Sequence, residues 1–251
     1  MEFGIYDINT NTPLPFKQRF DTYKQAGFKG VAFFIDQNYL DKGETFEKQI
    51  AYANKIGLKI MQVHADYKIS NKICDESSNE YFDYVESRIE ICEKYNLKNL
   101  IVHASSGSTP PEISQNQLKK LQNLAKKHPK VNICFENVRS NNNLCKILEL
   151  NIPNIKMCFD LGHANAYSNV IELFEKLKKY IVCSHLHNNF GTDTHSLLSN
   201  GEIDWKPIAK QLAKIKSCSN CLEVFPGHDV VLNKTEFVDF VTRAHADIET
   251  L

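Results

Sequence analysis

Along the whole chain, short runs rich in β-branched and aromatic residues alternate with longer stretches of helical periodicity, a rhythm that few folds can satisfy. The runs at 2–8, 30–36, 59–67, 99–105, 131–137, 155–164, 182–189 and 218–225 predict strands. Helices are predicted over 15–28, 45–58, 79–97, 114–129, 142–151, 170–181, 204–216 and 233–250. In the first of these, Phe16, Phe20 and Tyr23 keep helical spacing and Gly27 is a stop; in the third, Tyr81, Val85, Ile89 and Cys92 share one face. Near-continuously apolar strands separated by helices imply a parallel sheet covered by those helices. Eight such βα units in 251 residues match the arithmetic of a single (β/α)8 TIM barrel, one domain spanning 1–251. An open doubly wound sheet would want a glycine-rich phosphate loop after an early strand, and none is present. A domain of this length buries roughly 70–75% of its unfolded surface and needs no covalent staple.

Composition narrows the function classes. Thirty Lys+Arg balance thirty Asp+Glu, so the formal charge is zero. That speaks against non-specific binding to nucleic acid or anionic membranes. The first sixteen residues, MEFGIYDINTNTPLPF, lack a basic stretch followed by an apolar run, and no apolar segment is long enough to span a bilayer. A cytoplasmic protein is expected, its eight cysteines reduced thiols rather than a disulfide framework. Cys218 and Cys221 form one CxxC, but no second pair completes a zinc knuckle.

Chemistry concentrates at one end of the predicted strands. His64, His103, His163, His185, His187, His195 and His228 fall at a strand's carboxyl end or in the loop after it; only His128 and His245 lie on predicted helices. Glu136, Asp160 and Glu223 occupy the same kind of place, each inside or ending an apolar run where an acid is costly to bury unless paired or metal-bound. Imidazoles and carboxylates converging on one rim suit zinc, manganese or a similar divalent ion. Side chains two apart on a strand share a face, so Glu136, Asp160, His185 and Glu223 stand one layer above Cys134, Cys158, Cys183 and Cys221. The rise of roughly 6.6 Å over two residues keeps those thiols out of the same coordination shell, and they read as small apolar filler beneath it.

The segments QVHADY (62–67), LIVHAS (100–105), CFENV (134–138), CFDLGHA (158–164), SHLHNN (184–189), DTHSLLSNGEIDW (193–205) and CLEVF (221–225) together resemble the xylose isomerase-like barrel superfamily. That superfamily includes the sugar phosphate isomerase/epimerase family and the barrel-type apurinic endonucleases. For the isomerases and epimerases the resemblance implies one divalent ion on Glu136, Asp160, His185 and Glu223, with Glu136 and Glu223 also moving a proton at a carbon beside a carbonyl. For the endonuclease branch it implies three ions, with His64 and His103 joining Glu136, and with His163, Asp193 and His195 forming a further site. All nine positions are filled, so a multinuclear phosphoester hydrolase is the alternative to a sugar or sugar-phosphate isomerase/epimerase.

The family stretch after the seventh strand usually reads His-x-His-Asp or His-x-Asn-Asp, whereas this chain has His185-Leu186-His187-Asn188. His187 and Asn188 are therefore expected to bind substrate hydroxyls, and Arg139 a substrate phosphate or carboxylate. Glu202 is a further substrate-binding candidate in a segment that reads as a helix start capped by Asp204. The 104–113 connection contains no lysine or arginine, which favours a small-molecule sugar or phosphoester over nucleic acid. A homo-oligomer is compatible with the resemblance.

Overall fold

Eight parallel strands, hydrogen-bonded in chain order and closed by pairing of the last with the first, form the barrel expected from the sequence. The computed structural model describes residues 2–251 apart from 9, 10, 37, 39, 42 and 228, so His228 lies outside the described residues. The strands are β1 (Phe3–Tyr6), β2 (Gly30–Phe34), β3 (Lys59–His64), β4 (Asn99–His103), β5 (Asn132–Glu136), β6 (Ile155–Asp160), β7 (Ile181–Leu186) and β8 (Ser219–Leu222). Around them run α1 (Phe16–Ala26), α2 (Phe46–Ile56), α3 (Glu80–Lys94), α4 (Gln115–Lys127) and α5 (Asn142–Leu148). The outer ring is completed by α6 (Leu161–Tyr167), α7 (Val170–Leu177), α8 (Lys206–Leu212) and α9 (Lys234–Glu249). None of these helices is long and apolar enough to cross a membrane.

Strand parity divides the core in two. Phe135 and Phe159 point outward to the helices and are fully buried there with Phe20, Tyr23, Val85, Ile89, Phe174 and Phe237. Each such side chain contributes roughly 1.5–3 kcal/mol by leaving water. Cys134, Cys158 and Cys183 point inward and pack with Ile101 in a separate, fully buried cluster. Burial pushes these three thiols well above their usual range, and Cys221 up to about 12, so they remain protonated filler.

Local chemistry moves three boundaries. The strand expected over 59–67 ends at His64, because the Asp66 carboxylate accepts the Lys68 N–H at 3.0 Å and starts a 3-10 helix over Tyr67–Cys74. The strand expected to reach 164 stops at Asp160, whose side chain accepts the His163 N–H at 2.6 Å and caps α6. Asp204 is not the cap of α8: Trp205 holds that position without a side-chain bond, and Pro207 fixes the first turn instead.

A buried ion network closes the first βα unit. Arg19 is fully buried, with Nε and Nη2 donating to the two oxygens of Asp7 at 2.7 and 2.8 Å, while Nη1 donates to Asp41 at 3.1 Å. The Tyr23 hydroxyl adds a bond to Asp7 at 3.0 Å. Removing one partner strands the other charge in the core, so Arg19→Leu is expected to cost about 3–5 kcal/mol in urea unfolding. Replacing Arg19 and Asp7 together by apolar residues should cost less than the single change; additive losses would show that the pair is not coupled.

Candidate metal centre

Register assembles the site. His103 is the cross-strand partner of Glu136, and Asp160 of His185, so side chains from four strands arrive at one level at the carboxyl end of the barrel. Glu136 is the hub. Its Oε2 meets His64 Nε2 at 3.1 Å and His103 Nε2 at 3.0 Å, while its Oε1 meets His185 Nδ1 at 3.1 Å and His163 Nδ1 at 3.2 Å. Glu223, just past β8, brings Oε2 to 2.9 Å from His185 Nδ1.

Three donor groups result. Glu136, Asp160, His185 and Glu223 form a central one; His64, His103 and Glu136 flank it; His163, His187, Asp193 and His195 form a third at the rim. Within each group the ligating atoms all lie within 4.8 Å of one another. The nine ligand positions expected from sequence thus come together, and His187, expected to touch substrate, joins them as a tenth. The central group fits a divalent ion on a second count: Asp160 Oδ2 is fully buried without a hydrogen-bond partner, which is costly unless something cationic takes it.

Supporting contacts orient these donors. His185 Nε2 is held by Gln62 Oε1 at 2.9 Å, leaving Nδ1 for the centre. Asn137 brackets Asp160 by accepting its N–H at 2.8 Å and donating to its carbonyl at 2.7 Å, and the Asn137 carbonyl holds His163 Nδ1 at 3.0 Å. Neither Gln62 nor Asn137 was expected; a buried amide two residues before His64, on the same strand face, was the available signal for Gln62. His195 adopts a left-handed backbone, φ 48°, which turns its Nδ1 onto the Glu223 carbonyl at 2.9 Å and its Nε2 toward Asp193.

Electrostatics follows from this packing. Burial opposes charge on His163, but Asp160, Asp193 and Glu136 outweigh it and raise that imidazole well above its ordinary value. His185 is raised likewise, by Glu223 and Glu136 against burial. For His103 and His195 burial prevails, and both are lowered. Glu223 is brought down to about 2, with His185 and His195 overcoming desolvation.

The groups open into a cavity of about 390 Å³ bordered by Phe34, Tyr67, His64, His103, Glu136, His163, Asp193, His195, Glu223 and Phe225. Asp160 and His185 lie beneath its floor, with no exposed surface. No lysine or arginine borders it among the described residues.

Three expected substrate contacts fall elsewhere. Asn188 is buried and its amide is fully engaged, donating to the carbonyls of Leu198 at 2.8 Å and Ile203 at 3.3 Å and accepting from the N–H groups of Asn189 and Ile203. It folds the 188–203 loop instead of facing substrate. Glu202 is exposed outside the cavity, its carboxylate 3.4 Å from the Asn165 amide. Arg139 is exposed and lies against the Tyr167 ring, 5.8 Å from its centroid, also outside the cavity.

A family model described as xylose isomerase-like TIM barrel matches residues 20–239. Among solved structures, an L-ribulose 3-epimerase superposes with a TM-score of 0.77 at 17% identity, covering 100% of this chain and 94% of that one. A D-psicose 3-epimerase with D-tagatose from Clostridium cellulolyticum H10 gives 0.76 at 13%, with 100% and 98% covered. A family 2 AP endonuclease from Brucella melitensis gives 0.69 at 16%, with 92% and 95% covered. At these identities the likeness establishes a shared fold. No curated protein sequence matches the chain.

Proposed function

The chain belongs to the xylose isomerase-like TIM barrel family, and from that premise we propose that it is a divalent-metal-dependent sugar isomerase or epimerase acting by proton transfer. One observation carries this reading: of the four central donors, Asp160 and His185 are sealed beneath the floor, while Glu136 and Glu223 both border the cavity. Two carboxylates are thereby presented to a bound molecule, as proton transfer at a carbon beside a carbonyl requires. A zinc or manganese ion on Glu136, Asp160, His185 and Glu223 would polarise the substrate's carbonyl and hydroxyl oxygens and stabilise the enediolate. Glu223 and Glu136 then act as the base that removes the proton and the acid that returns it. His185, fixed by Gln62, holds both carboxylates in place. A cavity lined by imidazoles, carboxylates and aromatic rings, with no lysine or arginine among its described lining, suits an uncharged sugar better than a sugar phosphate. The epimerases among the structural neighbours support the same class of reaction. Incubation with a panel of ketoses in deuterated water tests the proposal: solvent label should enter the carbon beside the carbonyl, and label-free substrate across the panel would sink it.

A second reading, phosphoester hydrolysis, is favoured by the flanking His64–His103–Glu136 group, which a mononuclear proton-transfer site does not need. His64→Ala separates the two. It should lower ketose label uptake by less than about tenfold, whereas a hydrolase that uses that group would lose nearly all phosphodiester cleavage.

A further inference from the structure

We infer that Gln62 is the positioning residue of the central donor group: a buried strut across the barrel that decides which nitrogen His185 offers to a metal ion, and through it how tightly that group holds the ion. The inference rests on metal binding by the central group, not on which reaction the group serves.

His185 is turned the opposite way to its neighbours. His64, His163 and His195 each direct Nδ1 to a backbone carbonyl, of Ala65, Asn137 and Glu223, at 2.6, 3.0 and 2.9 Å, and so present Nε2 to the site. Backbone alone sets those three rings. His185 presents Nδ1 instead, 3.1 Å from Glu136 and 2.9 Å from Glu223, and its Nε2 is met by the side-chain oxygen of Gln62 at 2.9 Å. The Tyr6 ring packs edge-on against this imidazole, centroids 5.1 Å apart at 85°. That contact holds the plane of the ring but does not choose between its nitrogens.

Gln62 can make the choice because its own amide is locked. It is 1% exposed and reaches from β3 through the barrel interior to β7 and β8, strands that are not its neighbours in the sheet. Its Nε2 donates to the Ser219 carbonyl at 2.7 Å and the Ser184 carbonyl at 3.2 Å. Ser219 returns a bond from its Oγ to the Met61 carbonyl at 3.1 Å, which fastens the same crossing a second time. With both amide hydrogens taken, only the oxygen is left to face His185; the reverse orientation would set Oε1 against two carbonyl oxygens. An amide oxygen only accepts. His185 Nε2 must therefore carry a hydrogen, and Nδ1 is the nitrogen free to give a lone pair to an ion among Glu136, Asp160 and Glu223. Gln62 thus orients a ligand without touching either metal or substrate.

Two substitutions separate this role from simple packing. Gln62→Leu removes both the acceptor for His185 and the donors to the strand carbonyls. Gln62→Glu keeps an oxygen for the Nε2–H, whether that acid is ionised or not, and gives up at least one of the donors. Both variants should melt below the unmodified protein. In zinc competition against a chromophoric chelator, Gln62→Leu should weaken one class of site by roughly 10–100-fold, the usual effect of losing such a partner. Gln62→Glu should bind nearly as the unmodified protein does. Equal loss of affinity in the two variants would reduce Gln62 to packing and overturn the inference, as would undiminished affinity in Gln62→Leu. Should neither variant fold, long-range ¹H–¹⁵N spectra of the unmodified, zinc-loaded protein labelled at histidine decide the matter. They should show an imidazole with zinc at Nδ1 and a slowly exchanging hydrogen on Nε2; zinc on Nε2 in every ligated ring would overturn the inference. Ketose label uptake tests the proton-transfer reading separately, and none of these outcomes depends on it.

Discussion

Glu223→Gln is expected to lower turnover by roughly 10²–10⁴-fold, the range a positioned acid or base contributes. The amide keeps the shape of the carboxylate, so the packing beside His185 should survive, while loss of the charge paired with His185 should lower the melting temperature. What it loses is the ability to take a proton and the negative charge 2.9 Å from His185 Nδ1. Substrate affinity should change far less than kcat, because Glu223 is one wall of a cavity whose other walls are untouched. Label exchange from deuterated water reads the chemical step directly. Exchange at the unmodified rate in a folded, metal-loaded Glu223→Gln protein would remove this carboxylate from the mechanism. Glu136→Gln is the harsher change. All three histidine-rich neighbourhoods converge on Glu136, with His64, His103, His163 and His185 within 3.2 Å of its oxygens, so metal retention should fail together with turnover.

These carboxylates were legible in the sequence because strand parity is a local rule. Glu136 above Cys134, or His185 above Cys183, follows from alternation alone, and the fully buried inner cluster of Cys134, Cys158 and Cys183 bears it out. The same rule, taken one step further, places His187 on the face of His185 and Gln62 on that of His64. The donor group with His163 and the hydrogen bond to His185 realise those positions. Asn188 was not legible in this way. Its partners are backbone groups of Leu198 and Ile203, brought back by a loop whose path depends on contacts ten and more residues away. The end of β6 was ambiguous for a different reason. A run such as CFDLGHA continues either as strand or as helix, and the capping bond from Asp160 to the His163 N–H decides between them.

Zero net charge acquires a more specific meaning once the cavity is known. Lysine and arginine are absent from its described lining, Asp7 at its edge is already neutralised by Arg19, and the acids inside it are already engaged by imidazoles. A substrate with its own dianionic group would meet Asp193, Glu136 and Glu223 with bound metal as its only strong counter-charge. An uncharged polyol meets a set of acceptors suited to hydroxyls.

Removing the metal should abolish turnover and, in addition, make stability depend on pH on both sides of a narrow optimum. In the metal-free chain the acids of the site are balanced by His163 and His185, each raised well above 6.5 because neighbouring carboxylates outweigh burial. A group raised on folding stabilises fully below its unfolded value and loses that contribution as pH rises through the folded one. The metal-free protein should therefore weaken progressively from about 6.5 upward. Glu136 and Glu223 behave in the opposite sense: both are lowered from 4.5, Glu223 to about 2, so their contribution fades as pH falls from about 4.5 through the folded values. Stability without metal should peak between these limits. Zinc or manganese replaces the two imidazolium protons as counter-charge, so loading at pH 7 should release protons and extend stability to alkaline pH. Melting curves of chelator-treated and reloaded protein from pH 4 to pH 9 check this, with proton release followed by calorimetry in buffers of different ionisation enthalpy. Parallel curves with no proton release would mean that the histidines are already neutral without metal. The site's acids would then be balanced by other groups, contrary to the contacts that tie Glu136 to His163 and His185 at 3.2 and 3.1 Å.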